Sequence, residues 1–143
     1  MQEAESKLLI PGLAGFYDRM IPLSWLIIRL AVGFDLAMHG WGKVLRVPGW
    51  LSGAPTDDAL FYGTLLVTEF IGGIGIALGL FTRFFAAMAA IELLVITWGY
   101  VPNGYSWLGR GFEYALLWGW LCFAIALRGG GPYSLDRRLG KEL

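Results

Sequence analysis

Apolar residues run in four long stretches along the chain, each broken by short clusters of glycine, proline and charge. Runs of this length predict helices, because strands rarely exceed ten residues and a span near 20 apolar residues matches a hydrocarbon core of about 30 Å. The expected helices cover roughly 21–41, 60–80, 84–100 and 107–127. Pro22 suits the first turn of helix 1, where its missing N–H is not needed. Gly40, Gly42, Pro48, Gly49, Ser52, Gly53 and Pro55 then form a loop, Phe81-Thr82-Arg83 a tight turn, and Pro102-Asn103-Gly104 the third break. Gly129–Gly131 and Pro132 end helix 4, and the tail after Tyr133 is polar. Residues 1–20 mix Leu8, Leu9, Ile10, Leu13, Phe16 and Tyr17 with Pro11, Gly12 and Gly15, which predicts a short, broken interfacial segment before the first span.

Inside these stretches lie ionisable residues that hydrocarbon disfavours by a few kcal/mol each on insertion scales, so they are expected to face a partner or a wet cavity. Helix 1 holds Arg29, Asp35 and His39 and ends at Lys43. At about 100° per residue, with Arg29 at zero, Asp35 falls near 240°, His39 near 280° and Lys43 near 320°. One polar sector is therefore expected, with Asp35 and His39 as i,i+4 neighbours. Glu69 sits mid-way in helix 2, with Gly72 and Gly73 on the same face, where another helix can approach. Glu92 is central in helix 3, and Glu113 lies near the start of helix 4 after Arg110. Depth along each span suggests an inner pair, Arg29 with Glu69 or Glu92, and an outer cluster of Asp35, His39, Lys43 and Glu113. Two readings stay open at this point: an ion-pair network that fixes helix register, or a pocket that binds a polar head group and moves protons. His39, the one histidine, titrates near neutrality and suits proton exchange.

Composition sharpens the class. Hydrophobic residues make up 57% of 143 residues and charged residues 15%, with mean hydropathy +0.60. Soluble domains are nearer a quarter charged, so the expectation is an all-α membrane protein, one domain over residues 1–143, built as a four-transmembrane-helix bundle. Eleven basic and eleven acidic residues cancel, and no field attracts nucleic acid. The lipid bilayer is the expected solvent. No basic n-region, apolar core and small-residue cleavage site mark the first twenty residues, so helix 1 is expected to be retained. Lys7, Arg19, Arg83, Arg128, Arg137, Arg138 and Lys141 would lie on one side and Lys43, Arg46 and Arg110 on the other. The positive-inside rule then puts both termini in the cytoplasm of a bacterial or archaeal cell, with the chain in the inner (plasma) membrane. Trp41, Trp50, Trp98, Tyr100 and Trp107 would gather at the outer boundary.

Some chemistry is excluded. One histidine and Cys122 alone supply neither bis-His haem ligation nor a closed zinc site, so no metal is expected. There is no CxxC, P-loop or dinucleotide fingerprint; Gly72–Gly79 lies inside a membrane helix rather than at a strand-to-helix turn. No intrinsic cofactor is expected, and any redox chemistry must use a bound small molecule or a partner subunit.

Arg29 followed by His39-Gly40 and Lys43, Glu69 followed by Gly72-Gly73 and by Gly79-Leu80-Phe81-Thr82-Arg83, and Gly129–Gly131 running into Tyr133-Ser134-Leu135-Asp136 together resemble the DoxX family of small membrane proteins. The resemblance covers most of residues 23–138. It implies a four-helix bundle and association with redox chemistry, since founding members are small subunits of a quinol oxidase and of a thiosulfate:quinone oxidoreductase. The leading expectation is an accessory, non-catalytic subunit of a quinone-linked oxidoreductase that binds quinone or quinol among Arg29, His39, Lys43 and Glu69 and associates with other membrane redox subunits. The rival is a scaffold or assembly subunit of a larger membrane complex. Small size and many glycines also allow a homo-oligomer.

Overall fold

In the computed structural model, which describes residues 8–45 and 62–141, every regular element is helical. Helix α1 covers Ala14–Val44, α2 Tyr62–Leu78, α3 Thr82–Tyr100, α4 Glu113–Arg128, and a short α5 Leu135–Leu139. Gly40 and Gly42, expected in the first loop, lie inside α1, which runs on to Val44; the rest of that loop, Pro48–Pro55 with Trp50 and Arg46, lies outside the described residues, as do the first seven and last two.

Two other boundaries differ from expectation. The N-terminal segment is not a separate broken helix: after a single 3-10 turn at Pro11–Leu13, α1 begins at Ala14 and runs through Pro22 without interruption. At the other end, residues 107–112 are not the start of helix 4. Trp107–Gly109 is one 3-10 turn, Arg110 takes a left-handed φ of 60°, and α4 begins at Glu113. The connecting stretch closes on itself instead, with Gly111 N donating to Ser106 O at 2.9 Å, Phe112 N to Gly104 O at 3.1 Å and Glu113 N to Tyr105 O at 2.9 Å. These bonds satisfy the orphan donors of the helix start with loop carbonyls, which helical continuation could not do.

Two segments, Pro11–Val44 and Thr82–Asn103, are long and apolar enough to cross a membrane, while α2 is a shorter apolar helix. Only 17% of the second span's most apolar window is buried inside the protein. Its outward face carries Ile91, Leu94, Val95 and Trp98, the last 81% exposed. A soluble protein would hide such a face; lipid is its natural solvent.

Small residues set the packing. A Cβ on Gly33 would lie 2.5 Å from Ala77 N and from Gly73 O, and one on Gly73 would lie 2.5 Å from Ala37 N. A Cβ on Gly40 would collide with the backbone of Phe70. Each step up α1 thus matches an equal step down α2, an antiparallel register in which the backbones touch. On the other side of α2, Gly72 and Gly75 receive the Phe85 ring of α3. Helices α3 and α4 pack along their length. The core holds Trp25, Val32, Leu36, Ile76, Ala86, Ala89, Cys122 and Ile125. Gly40→Ala should therefore destabilise the protein by about 1–3 kcal/mol through forced separation of α1 and α2. Thermal unfolding in detergent checks this; an unchanged midpoint would mean the helices are not held in this contact.

Candidate functional site: a buried lysine and two carboxylates

The α1–α2 register decides which ionisable residues meet. Three residues beyond the Gly40–Phe70 contact, Lys43 arrives beside the α2 turn that carries Glu69, and its Nζ forms an ion pair with Glu69 Oε2. The pair is well covered: the side chains are 20% and 9% exposed. Glu69 lies in a π-helical turn, Leu66–Ile71, inside α2. Such wide turns are rare and recur at functional sites. Here the turn leaves consecutive residues, Thr68 and Glu69, both buried. Thr68 Oγ1 donates back to Thr64 O at 3.0 Å.

Glu92 of α3 lies level with Glu69, because both are about three turns from the Leu78–Thr82 connection. Both of its carboxylate oxygens are buried with no hydrogen-bond partner. Its electrostatic neighbours are Glu69, Lys43 and Thr68. From α4, Cys122 is buried within electrostatic reach of Glu92, and Trp118 Nε1 is also buried without a partner. The centre therefore holds two carboxylates against one ammonium in a low-dielectric interior. One carboxylate is paired. The other is a place where a proton, or a hydroxyl from a ligand, can be held.

Arg29 is elsewhere. Its side chain is 1% exposed and points to the opposite end of the bundle, where Nη1 donates to Gly130 O and Nη2 to Tyr133 O at 2.8 Å. It meets neither Glu69 nor Glu92. Gly79, with φ 74°, leaves room for this guanidinium, which a Cβ there would approach to 2.6 Å. The same end is tied by Trp25 Nε1 donating to Gly129 O at 2.9 Å, by Arg128 stacked 4.5 Å over the Trp25 ring, and by Arg83 Nη1 donating to Leu127 O at 2.7 Å.

Asp136 closes this end. Its Oδ1 accepts from Phe81 N at 2.7 Å, and its Oδ2 accepts from Thr82 N at 2.9 Å and from Thr82 Oγ1 at 2.7 Å. Its own N–H donates to Gly79 O at 2.8 Å. The carboxylate thus caps the N-terminus of α3 from 54 residues away, where orphan N–H groups and the helix dipole favour negative charge. Ser134 starts α5 in the same way, accepting from Arg137 N at 3.2 Å. The signal available was the acid that follows Gly129–Gly131 and directly precedes Arg137 and Arg138.

The remaining expected residues stand apart. Asp35 and His39 face each other along α1, Nε2 to Oδ2 at 3.7 Å, with side chains 31% and 62% exposed. The buried arc of α1 is Trp25, Arg29, Val32, Gly33, Leu36 and Gly40. It centres on Arg29, and the sector drawn from polar residues alone was rotated toward its edge. Glu113 does not join Asp35, His39 and Lys43; its Oε2 accepts from Trp107 N at 3.2 Å within its own loop. Structure thus joins Lys43, Glu69 and Glu92, joins Asp35 to His39, and leaves Arg29 and Glu113 with backbone partners.

The DoxX family profile matches residues 24–101, the stretch that carries Arg29, Asp35, His39, Lys43, Glu69 and Glu92. An uncharacterized protein of Haemophilus influenzae is 27% identical over 132 residues, covering 87% of this chain and 97% of that protein. No solved structure matches the chain. Because the profile covers more than half of the 143 residues, including most of α1, all of α3 and both carboxylates of the buried centre, the chain belongs to the DoxX family.

Proposed function

We propose that this protein is a small integral membrane subunit serving a redox complex, and that Lys43, Glu69 and Glu92 receive the polar head of a quinone-like lipophilic ligand. In this reading all four main helices cross the inner membrane and both termini are cytoplasmic. Arg83, Arg128 and the basic tail then share the inner end, and Lys43 and Arg110 the outer. One observation carries the ligand site: a buried carboxylate without a donor beside a buried ion pair, in a chain with membrane-helix character. Lys43 would polarise a carbonyl oxygen of the ligand, and Glu92 would exchange its proton with a ligand hydroxyl. Arg29 has no part, since its guanidinium is engaged by Gly130 and Tyr133. His39, largely exposed, has none either.

Titration of the protein in lipid with a short-chain ubiquinone, followed by tryptophan quenching, tests this. Binding should weaken at least about tenfold in Glu92→Gln, the equivalent of one lost charged hydrogen bond. Binding unchanged in Glu92→Gln and in Lys43→Met would remove the site.

A scaffold role is the second reading. It is favoured by an apolar groove of about 380 Å³ between α3 and α4, lined by Ile91, Leu94, Leu116, Gly119, Trp120 and Phe123. That groove opens on the side of α3 away from Glu92, so it does not lead a ligand tail to the carboxylate. Gentle purification from native membranes discriminates: constant recovery with pigmented subunits and no bound quinone favours the scaffold.

A further inference from the structure

The Asp35–His39 pair is not used by the buried centre, and its position in α1 is costly as it stands. The topology proposed above puts the outer boundary near exposed Trp41. Asp35 lies six residues deeper, about 9 Å into the apolar region at the rise of a helix. Its side chain is 31% exposed and that of His39 62%. A short aspartate cannot reach the headgroups as lysine or arginine does. Among the described residues its ion-pair partner is His39, at a loose 3.7 Å. Both side chains are therefore turned outward to something other than lipid tails.

The surrounding face says what. Ala31, Asp35, Met38 and Gly42 recur at steps of four, three and four, and at about 100° per residue they fall within a strip about 60° wide. Ala31, Met38 and Gly42 are exposed, and nothing lies within 4 Å of a Cβ placed on Gly42. A narrow seam of this period, with small residues at both ends, Asp35 between them and His39 about 40° beyond its edge, is how membrane helices approach one another. The polar residues complement themselves, since one helical turn holds both an acceptor, Asp35, and a donor, His39. A twofold pair needs this property, because each surface must satisfy its own copy.

We propose that the Ala31–Gly42 face of α1 pairs with the same face of a second copy of this chain, with Asp35 of each copy bonded to His39 of the other. The pairing rests on α1 crossing the bilayer, as in the function proposed above, but not on the buried centre.

Single cysteines introduced by Ala31→Cys, Met38→Cys, Gly42→Cys and, as an exposed control on α3, Ile91→Cys test it in native membranes with a mild oxidant. Cys122 is fully buried, so the unaltered chain serves as the blank. Disulfide-linked dimer should form at least about fivefold faster at the three seam positions than at Ile91. Adding Asp35→Asn and His39→Gln to Met38→Cys should lower that yield several-fold with an unchanged melting profile. Equal rates at Met38 and Ile91, or no dimer at any seam position, would overturn the pairing. Alkaline washing separates the two readings: a chain that washes off the membrane overturns both, whereas one that stays and does not cross-link overturns the pairing alone.

Discussion

Asp136→Ala should destabilise the protein by about 3–5 kcal/mol, because it leaves several buried donors without an acceptor at once. Phe81 N, Thr82 N and Thr82 Oγ1 all bond to this carboxylate, and Thr82 is fully buried. At Thr82 N and Oγ1, both buried, water is poorly placed to replace the lost oxygen. The carboxylate also holds Phe81 at φ 49°, a left-handed conformation that disfavours a side chain by about 1–2 kcal/mol. Without the cap, the α2–α3 connection loses what fixes it, and the C-terminal segment loses its anchor on that turn. The unfolding midpoint in detergent should fall by about 10 °C or more for a loss of this size. Asp136→Asn retains one acceptor oxygen and should lose about half as much. A midpoint within 2 or 3 °C of the unaltered protein, about 1 kcal/mol, would show that the contact is not the clasp described.

This clasp shows where sequence reasoning stops. Helix periodicity, span length and glycine placement are local, and they located the helices to within a turn except at the start of α1, which begins at Ala14, and at residues 107–112, where backbone groups found partners outside the helix. Residues 107–112 are apolar enough to read as helix, yet their N–H groups bond to loop carbonyls at Gly104, Tyr105 and Ser106. The polar face of α1 was legible, but only from its charged residues. The residues that fix its orientation are Gly33 and Gly40, which carry no polar signal and touch α2 through backbone. Their contacts set the register, and the register pairs Glu69 with Lys43 rather than with Arg29. Depth counted from estimated helix ends put Glu69 nearer Arg29 than Lys43, although Arg29 and Lys43 lie 14 residues apart on α1, about four turns. Arg29 and Asp136 each bond to groups 50 to 104 residues away, and such contacts leave no periodic trace. The π-helical turn at Leu66–Ile71 is likewise silent in a sequence that reads as ordinary helix.

Lys43→Met should be the most damaging change at the buried centre, about 3–5 kcal/mol, the range for removing one partner of a covered ion pair. It leaves the buried Glu69 carboxylate with no cation, beside Glu92. The arrangement makes the loss reversible by design of the variant. Glu69→Gln removes the stranded charge, so Lys43→Met with Glu69→Gln should regain most of the stability, and the double-mutant cycle should show a coupling of about 2–3 kcal/mol. Glu92→Gln behaves differently. Its oxygens meet no donor at good hydrogen-bond geometry, although Glu69 and Thr68 lie beside it, so the amide should leave the unfolding midpoint unchanged or raise it. The two results together divide structure from function within one cluster. A pair whose disruption melts the bundle fixes the meeting of α1 and α2. A carboxylate that can be neutralised without loss of stability has been kept charged or protonatable against the preference of its surroundings, and that is the behaviour of a group retained for binding or proton exchange. If Glu92→Gln instead destabilises the bundle as much as Lys43→Met does, the three residues form one structural network and the proposed ligand site loses its physical basis.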